Sequence, residues 1–113
     1  MSDIVYINEE EGKKRLMNSV KAYVKFLTKF KNEITLDDLV GSANSNNWES
    51  ARTAAHTIKG LAANLSLTEL FNQALDIETQ AKEQSVKPES LESLKICFTE
   101  TLTAIDKVIN KYA

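Results

Sequence analysis

A chain of 113 residues with 42% hydrophobic side chains and a formal net charge of −2 has the size and composition of one globular domain. The near-neutral charge argues against nucleic acid as the main partner, and one cysteine, Cys97, excludes an internal disulfide or a cysteine-based zinc site. We find no signal peptide and no apolar run of the roughly 20 residues that cross a bilayer, so we expect one cytoplasmic domain over residues 1–113 without a membrane partner.

In the N-terminal part of the chain, capping patterns and periodic apolar residues predict helices over about 8–18, 19–32 and 35–43. Asn8 followed by Glu11 is close to a capping box, and Thr35 with Asp38 offers the same pattern for the third helix. These helices are short or of moderate length. Few glycines and one proline favour helices over a turn-rich β fold.

The C-terminal part predicts three longer amphipathic helices. The first runs from Trp48 to about Leu65 behind an Asn46 or Asn47 cap, the next restarts at Ser66 or Thr68, and the last covers about 89–111 after a loop at 83–88. Their apolar stripes need one another for burial. We therefore predict an all-α fold, an antiparallel four-helix bundle with additional short N-terminal helices.

The chain has one histidine, His56, which lies within the helix predicted over Trp48–Leu65. At about 100° per residue, its ring points about 130° from the centre of that helix's apolar stripe. A lone histidine on an apolar face is more often a core residue satisfied by hydrogen bonds, but His56 is predicted on the other face. A neutral imidazole in that position can act as a nucleophile near neutral pH.

Four neighbours at helical spacing share the predicted face of His56, namely Arg52, Lys59, Gly60 and Ala63. Lys59, and less directly Arg52, can offset negative charge on a phosphoryl group and disfavour the imidazolium form. Gly60 costs the helix about 1 kcal/mol relative to alanine, so it calls for a reason. Because it faces away from the core stripe, we favour open access for another protein over close helix packing.

The run from Ala55 to Leu65, AHTIKGLAANL, resembles the signature of histidine phosphotransfer (HPt) domains of multistep phosphorelays. The His-x-x-Lys-Gly core would match by chance, but the small residues after it, the helix phase and Leu70 near the next helix start make the resemblance more specific. Many members have a glycine where this chain has Ser66, so the link to the next helix is expected to differ.

The resemblance implies a four-helix bundle in which His56 is phosphorylated in exchange with the aspartate of a response-regulator receiver domain. Lys59 would stabilise the phosphoryl charge, and Gly60 would give steric access. The partner would contact Arg52, Ala63 and Asn64. The implied partners are a receiver domain and a sensor or hybrid histidine kinase, with Mg²⁺ on the receiver and no cofactor or metal bound by this chain.

Several interpretations stay open beside this one. The lack of a P-loop and of kinase motifs predicts a phosphohistidine carrier without ATP-dependent kinase activity. The main alternative is a helical adaptor that binds a partner without chemistry. An inactive antagonist is disfavoured by the intact motif, and a metal-dependent hydrolase by the missing ligand set.

The sequence also suggests which further residues lie on the surface and which lie in the core. Phe26 or Leu61 could form an apolar docking patch around the histidine, whereas Cys97 is expected in the core. The lysines between Lys13 and Lys31 are interpreted as a solvated face. We expect a monomer, and the N-terminal Met with a full set of helices favours a free-standing protein over a piece of a hybrid kinase.

Overall fold

A computed structural model describes residues 4–113, so residues 1–3 of the predicted domain lie outside the described residues. Residues 4–113 form six helices and no strand, which confirms the all-helical prediction. The helices are α1 Glu9–Arg15, α2 Val20–Glu33, α3 Asp37–Asn44, α4 Trp48–Leu65, α5 Thr68–Lys82 and α6 Pro88–Lys111. Within 4–113, none of these helices has the length and apolar character needed to cross a membrane.

The first helix begins as predicted but ends early. The Asn8 side chain accepts a hydrogen bond from the backbone N–H of Glu11, which caps α1. The predicted end near Asn18 is wrong because Met17 and Asn18 adopt left-handed backbone angles, with φ of 56° and 60°. Two such residues cannot continue a right-handed helix, so α1 stops at Arg15.

Caps also decide where α3 and α4 begin. The predicted capping box at Thr35 is wrong, because Leu36 is the residue before α3 and its side chain makes no capping bond. Thr35 Oγ1 instead accepts the Asp37 N–H at 3.3 Å, two residues along, as in a local turn. Asn47 caps α4 as expected, accepting the Ser50 N–H at 3.3 Å.

The core is one cluster of apolar side chains contributed by α2 to α6 and the links between them. Its largest fully buried apolar members are Tyr23, Leu27, Leu39, Leu67, Leu70, Ile77, Leu94 and Ile105. Burying one large aliphatic side chain contributes roughly 1.5–3 kcal/mol, so this cluster is the main source of stability. Cys97 is buried there as predicted, and burial raises the pKa of its thiol to about 11.

The helix that carries His56 lies at the centre of these contacts, since α4 touches α1, α2, α3 and α5. Its buried face is Ala51, Ala55, Ile58, Ala62 and Leu65, whereas Trp48, predicted on the same stripe, is only partly buried. Small alanines let neighbouring helices approach closely. The start of α4 and the end of α5 line one cavity, so these two helices run antiparallel.

The link from α4 to α5 passes through Ser66, a buried residue with a left-handed φ of 58°. Glycine adopts this conformation freely, whereas other residues lose about 1–2 kcal/mol. Hydrogen bonds to the N-terminal segment offset that cost: Ser66 Oγ donates to Glu11 Oε1 at 2.8 Å and accepts from Arg15 Nε at 3.3 Å. The Ser66 carbonyl also accepts the Asn8 N–H at 2.8 Å. The serine therefore fastens α1 to the end of the histidine helix.

A tyrosine from α2 reinforces the same end of α4. The Tyr23 hydroxyl donates to the Leu65 carbonyl at 2.9 Å, and burial raises the pKa of that hydroxyl. The ring lies against Gly12 so closely that a Cβ there would be 2.5 Å from the ring atoms. Gly12 is thus required by close approach rather than by an unusual backbone angle.

Candidate functional site

The imidazole of His56 stands on the solvent-facing side of α4, with 65% of its side chain exposed. Its helix neighbours Ala55 and Ile58 are buried and hold that face of α4 in the core. The structure therefore places the ring where the helical phase predicted it, outside the apolar interior. A second protein can reach it directly.

A carboxylate from the neighbouring helix holds the ring. His56 Nδ1 lies 2.9 Å from Oε2 of Glu78 in α5, and only 5% of the Glu78 side chain is exposed. The pKa of Glu78 is lowered, so this group is ionised at neutral pH and can only accept hydrogen bonds. The proton of neutral His56 is therefore on Nδ1, and the outward-facing Nε2 carries the lone pair.

The same carboxylate binds Lys59. Lys59 Nζ lies 2.6 Å from Glu78 Oε1, in an ion pair whose angles depart from those of a hydrogen bond. The Lys59 ammonium is the main cause of the low pKa of Glu78; burial opposes this shift, and His56 adds to it. Lys59, which was predicted to share the outward face of His56, is less exposed than the histidine, because only 21% of its side chain is accessible.

The structure leaves open space beside the imidazole at Gly60. A Cβ built on Gly60 meets no side chain and no backbone outside its own helical turn within 4 Å, and the residue is exposed. Of the remaining predicted contact residues, Asn64 is exposed and Ala63 is partly buried. On the C-terminal side of His56, this face of α4 therefore carries small side chains at Gly60 and Ala63 and is accessible to solvent.

Arg52, the predicted cation one turn before His56, is not in the cluster around Glu78. It lines a separate shallow cavity with Trp48 and Lys82, and it forms no ion pair within residues 4–113. The structure thus brings together His56 and Lys59, and it leaves Arg52 beside them without a charged partner in the described part of the chain.

The site combines an exposed, oriented imidazole with the bare backbone of Gly60 one turn along the same helix. Residues 25–108, from within α2 to within α6, match the family model described as Hpt domain. The chain belongs to the Hpt domain family. The resemblance found in the sequence is confirmed, and the family implies involvement in phosphotransfer in two-component signalling. The searches of curated proteins and of solved structures gave no match.

Hpt domains interact with receiver domains and histidine kinases in phosphorelays, and a protein partner needs an accessible surface on the domain. In this Hpt domain, a groove of about 580 Å³ lies between α2 and α4. Phe26, which is 44% exposed, Leu61 and Asn64 line it, and its charged residues are Arg15, Lys29 and Glu33. One side of the histidine helix therefore offers a largely apolar surface with charged side chains of both signs.

Glu78 is the site residue that sequence reasoning missed in this Hpt domain. A signal was present, since Glu78 lies four residues after Ala74 and three before Ala81, within the buried stripe of α5. A charged side chain on a buried stripe needs a partner of opposite charge or a set of hydrogen bonds. That argument predicts a buried ion pair at Glu78, but it does not name His56 and Lys59 as the partners.

Proposed function

We propose that this Hpt domain carries a phosphoryl group on Nε2 of His56, which it accepts from the phosphorylated aspartate of a receiver domain and can return. The observation that carries the proposal is an imidazole that is 65% exposed while its Nδ1 is held by a buried carboxylate. That arrangement fixes the ring and leaves the other nitrogen free for a partner.

The transfer step follows from the state of the ring. The Nε2 lone pair attacks phosphorus, and the P–O bond to the receiver aspartate breaks with its electron pair leaving on the carboxylate. The product ring carries the phosphoryl on Nε2 and the original proton on Nδ1, so it becomes positively charged. Glu78 Oε2, 2.9 Å from Nδ1, stabilises this charge and acts as a positioning residue. Magnesium is expected on the receiver.

Lys59 has a different role in this proposal. Its ammonium, 2.6 Å from Glu78 Oε1, neutralises the carboxylate and lies near the ring through that shared partner. Charge that develops on the phosphoryl oxygens during transfer is stabilised by a cation already held in place, because little reorganisation is then needed.

The docking surface is proposed to extend from His56 over Gly60 to the groove beside α4. Gly60 offers open space, and Phe26 and Leu61 supply the apolar centre that a transient interface requires. Asn64 lies at the same groove and supplies a polar contact. Partner contacts at Ala63 belong to the same surface.

The packing of the helices against one another is also in keeping with this function. We propose that α2, α4, α5 and α6 form an antiparallel four-helix bundle, with α1 and α3 as additions. The supporting contacts are those of α4 with α5, α5 with α6, and α2 with both α4 and α6. We also propose that the domain acts as a cytoplasmic monomer without kinase activity of its own.

The test uses a receiver domain phosphorylated with ³²P on its aspartate. Wild-type protein should gain acid-labile, base-stable label, and His56→Gln should gain none. Thr57→Ala is the matched control, because Thr57 is the exposed neighbour on the same helix and its loss should change nothing. Equal labelling of wild type and His56→Gln would reject His56 as the acceptor. Binding of the receiver without any label on the wild type would favour the adaptor interpretation.

A further inference from the structure

A second groove lies between α5 and α6, on a face of the domain to which the proposed phosphotransfer assigns no role. It consists of two adjoining cavities of about 250 and 450 Å³, which share Gln73, Glu89 and Ser93. We call it the α5–α6 groove. Ile96 of α6 and Ile4 of the N-terminal segment line its larger cavity, and 63% and 48% of these residues are exposed. Exposed aliphatic side chains that share one cavity mark a binding surface.

The charged residues that line the α5–α6 groove are all acidic. They are Glu69, Asp76, Glu89 and Glu92. Of these, only Glu92 has an ion pair within residues 4–113, with Lys95 at 3.1 Å. Burial raises the pKa of Tyr6 in the larger cavity, and the negative charges of Glu100 and Glu69 raise it further. The groove therefore has a negative field, whereas the groove between α2 and α4 carries charges of both signs.

The α5–α6 groove lies on the opposite side of α5 from the phosphoacceptor site. Glu69 comes nine residues before Glu78, and at about 100° per residue their side chains lie about 180° apart around the helix. Gln73, which lines both cavities, lies about 140° from Glu78 by the same count. Because Glu78 holds the ring of His56, a molecule in the groove leaves the imidazole accessible.

The shape and charge of the α5–α6 groove specify its occupant. A groove between two helices accepts a third helix that lays one face into it. Lysine or arginine side chains complement the unpaired carboxylates, and an aliphatic side chain covers Ile96 and Ile4. A second copy of this chain offers lysines on α2, but contact between two different surfaces of one chain adds copies without limit unless a ring closes. A different protein is therefore the better occupant.

We propose that the α5–α6 groove binds a basic amphipathic helix of another protein. Lysine or arginine side chains of that helix pair with Glu69, Asp76 and Glu89, and its aliphatic side chains pack on Ile96 and Ile4. The binding goes beyond the phosphotransfer proposed for this domain and does not depend on it. The domain can thus hold one protein through α5 and α6 while another reaches the histidine helix.

The experiment measures the binding of two synthetic helical peptides to the full chain by fluorescence anisotropy. Both peptides carry leucines on one face, and the flanking positions are lysines in one and glutamates in the other. The variants are Ile96→Ser and Glu89→Gln, with Met17→Ser and Glu83→Gln as matched controls. Met17 and Glu83 are exposed and lie outside both cavities, so these controls repeat the loss of an apolar side chain and of one negative charge. Circular dichroism confirms that each variant is folded.

The lysine peptide should bind wild type at least tenfold more tightly than the glutamate peptide, and added salt should weaken its binding. Ile96→Ser should weaken binding of the lysine peptide about tenfold, because an aliphatic contact is lost. Glu89→Gln should weaken it about two- to fivefold, as expected for one exposed ion pair. Both controls should match wild type. Equal binding of the two peptides, or binding to Ile96→Ser and Glu89→Gln as tight as to wild type, would overturn the proposal.

Two further measurements test the place and the kind of the occupant. Transfer of label from a phosphorylated receiver to His56 should stay within about twofold of its normal rate when the lysine peptide is saturating, since the two surfaces lie on opposite sides of α5. Loss of transfer would contradict that separation. In sedimentation velocity, concentration-dependent assembly of wild type that Ile96→Ser abolishes would make the occupant a second copy, and the proposal would fall. If wild type takes no label even without peptide, the proposed function fails, and the binding results still decide this proposal.

Discussion

Replacing Glu78 with glutamine separates the charge of the buried carboxylate from its shape. In the folded chain Oε1 lies 2.6 Å from Lys59 Nζ, and Oε2 lies 2.9 Å from His56 Nδ1. A glutamine oxygen can still accept the Nδ1 proton, so the ring keeps its orientation. The ammonium, however, loses its counter-charge. The substitution therefore tests the ion pair and the positioning role in one variant.

The loss of stability follows from how well each partner can be rehydrated. Removing one partner of a fully buried ion pair costs about 3–5 kcal/mol, and an exposed pair is worth less than about 1 kcal/mol. Glu78 is 5% exposed, but Lys59 is 21% exposed and can turn toward water. We therefore expect Glu78→Gln to lower the free energy of unfolding by about 1–3 kcal/mol at pH 7.

The stability difference should depend on pH in one direction. The pKa of Glu78 in the folded state is below its ordinary value of 4.5, mainly because of Lys59. The stabilisation is thus fully present above pH 4.5 and is lost as the pH falls through the folded-state pKa. Urea unfolding followed by circular dichroism, from pH 7 downward, should show wild type and Glu78→Gln converging in acid.

Transfer rates give the second measurement on the same variants. Glu78→Gln should slow phosphotransfer about tenfold, because the charge that stabilises the imidazolium is gone. Glu78→Ala should be slower still, since it also frees the ring. Glu100→Gln is the control, since Glu100 is an exposed glutamate of α6 without an ion pair in residues 4–113. A stability difference independent of pH, or transfer as fast as wild type in both Glu78 variants, would refute this reasoning.

Three further substitutions test the rest of the site and its support. Lys59→Ala should slow transfer and lower the free energy of unfolding by about 1–2 kcal/mol, since it leaves the buried carboxylate of Glu78 without Lys59. A urea unfolding curve that matches wild type would contradict a stabilising Lys59–Glu78 pair. Gly60→Gln should raise helix stability by roughly 0.5 kcal/mol yet block receiver docking. Gly41→Gln is the control, because Gly41 also lies in open space and its variant should transfer normally. Surface plasmon resonance should show weaker receiver binding by Gly60→Gln than by Gly41→Gln. Gly12→Ala should destabilise by about 1–3 kcal/mol because its Cβ would meet the Tyr23 ring, and a thermal midpoint equal to that of wild type would show that the ring can move away.

The helices could be predicted where local signals decide them. Both ends of α4 follow from an asparagine cap and a stripe of apolar residues, and these signals depend only on nearby residues. The end of α1 could not be predicted in this way, since nothing in Met17 marks it for a left-handed backbone. At Thr35 the capping pattern was present, but the hydroxyl accepts from a closer N–H and the helix begins later.

The functional site likewise has one part that local sequence signals predict and one part that they do not. The outward direction of His56 depends on the period of one helix, so the sequence predicts it. The partial burial of Lys59 depends on Glu78, which is 22 residues beyond His56 and contacts Lys59 and His56 because α5 packs antiparallel on α4. No spacing rule within one helix contains that information. The predicted roles of the site residues remain predictions until transfer is measured.

The shared carboxylate also gives a physical reason for the three-residue spacing of His56 and Lys59. Residues three apart lie on the same face of a helix, so the two oxygens of one carboxylate on the facing helix can each reach one of them. With neutral imidazole, the group of three carries one negative and one positive charge and is neutral, which is how a carboxylate that is only 5% exposed is tolerated in α5. If the ring accepts a phosphoryl group as proposed, it becomes positive, and the same carboxylate then lies within reach of two cations. One buried charge can thus stabilise the ring and keep the ammonium in place beside it, which favours a single carboxylate over two separate partners.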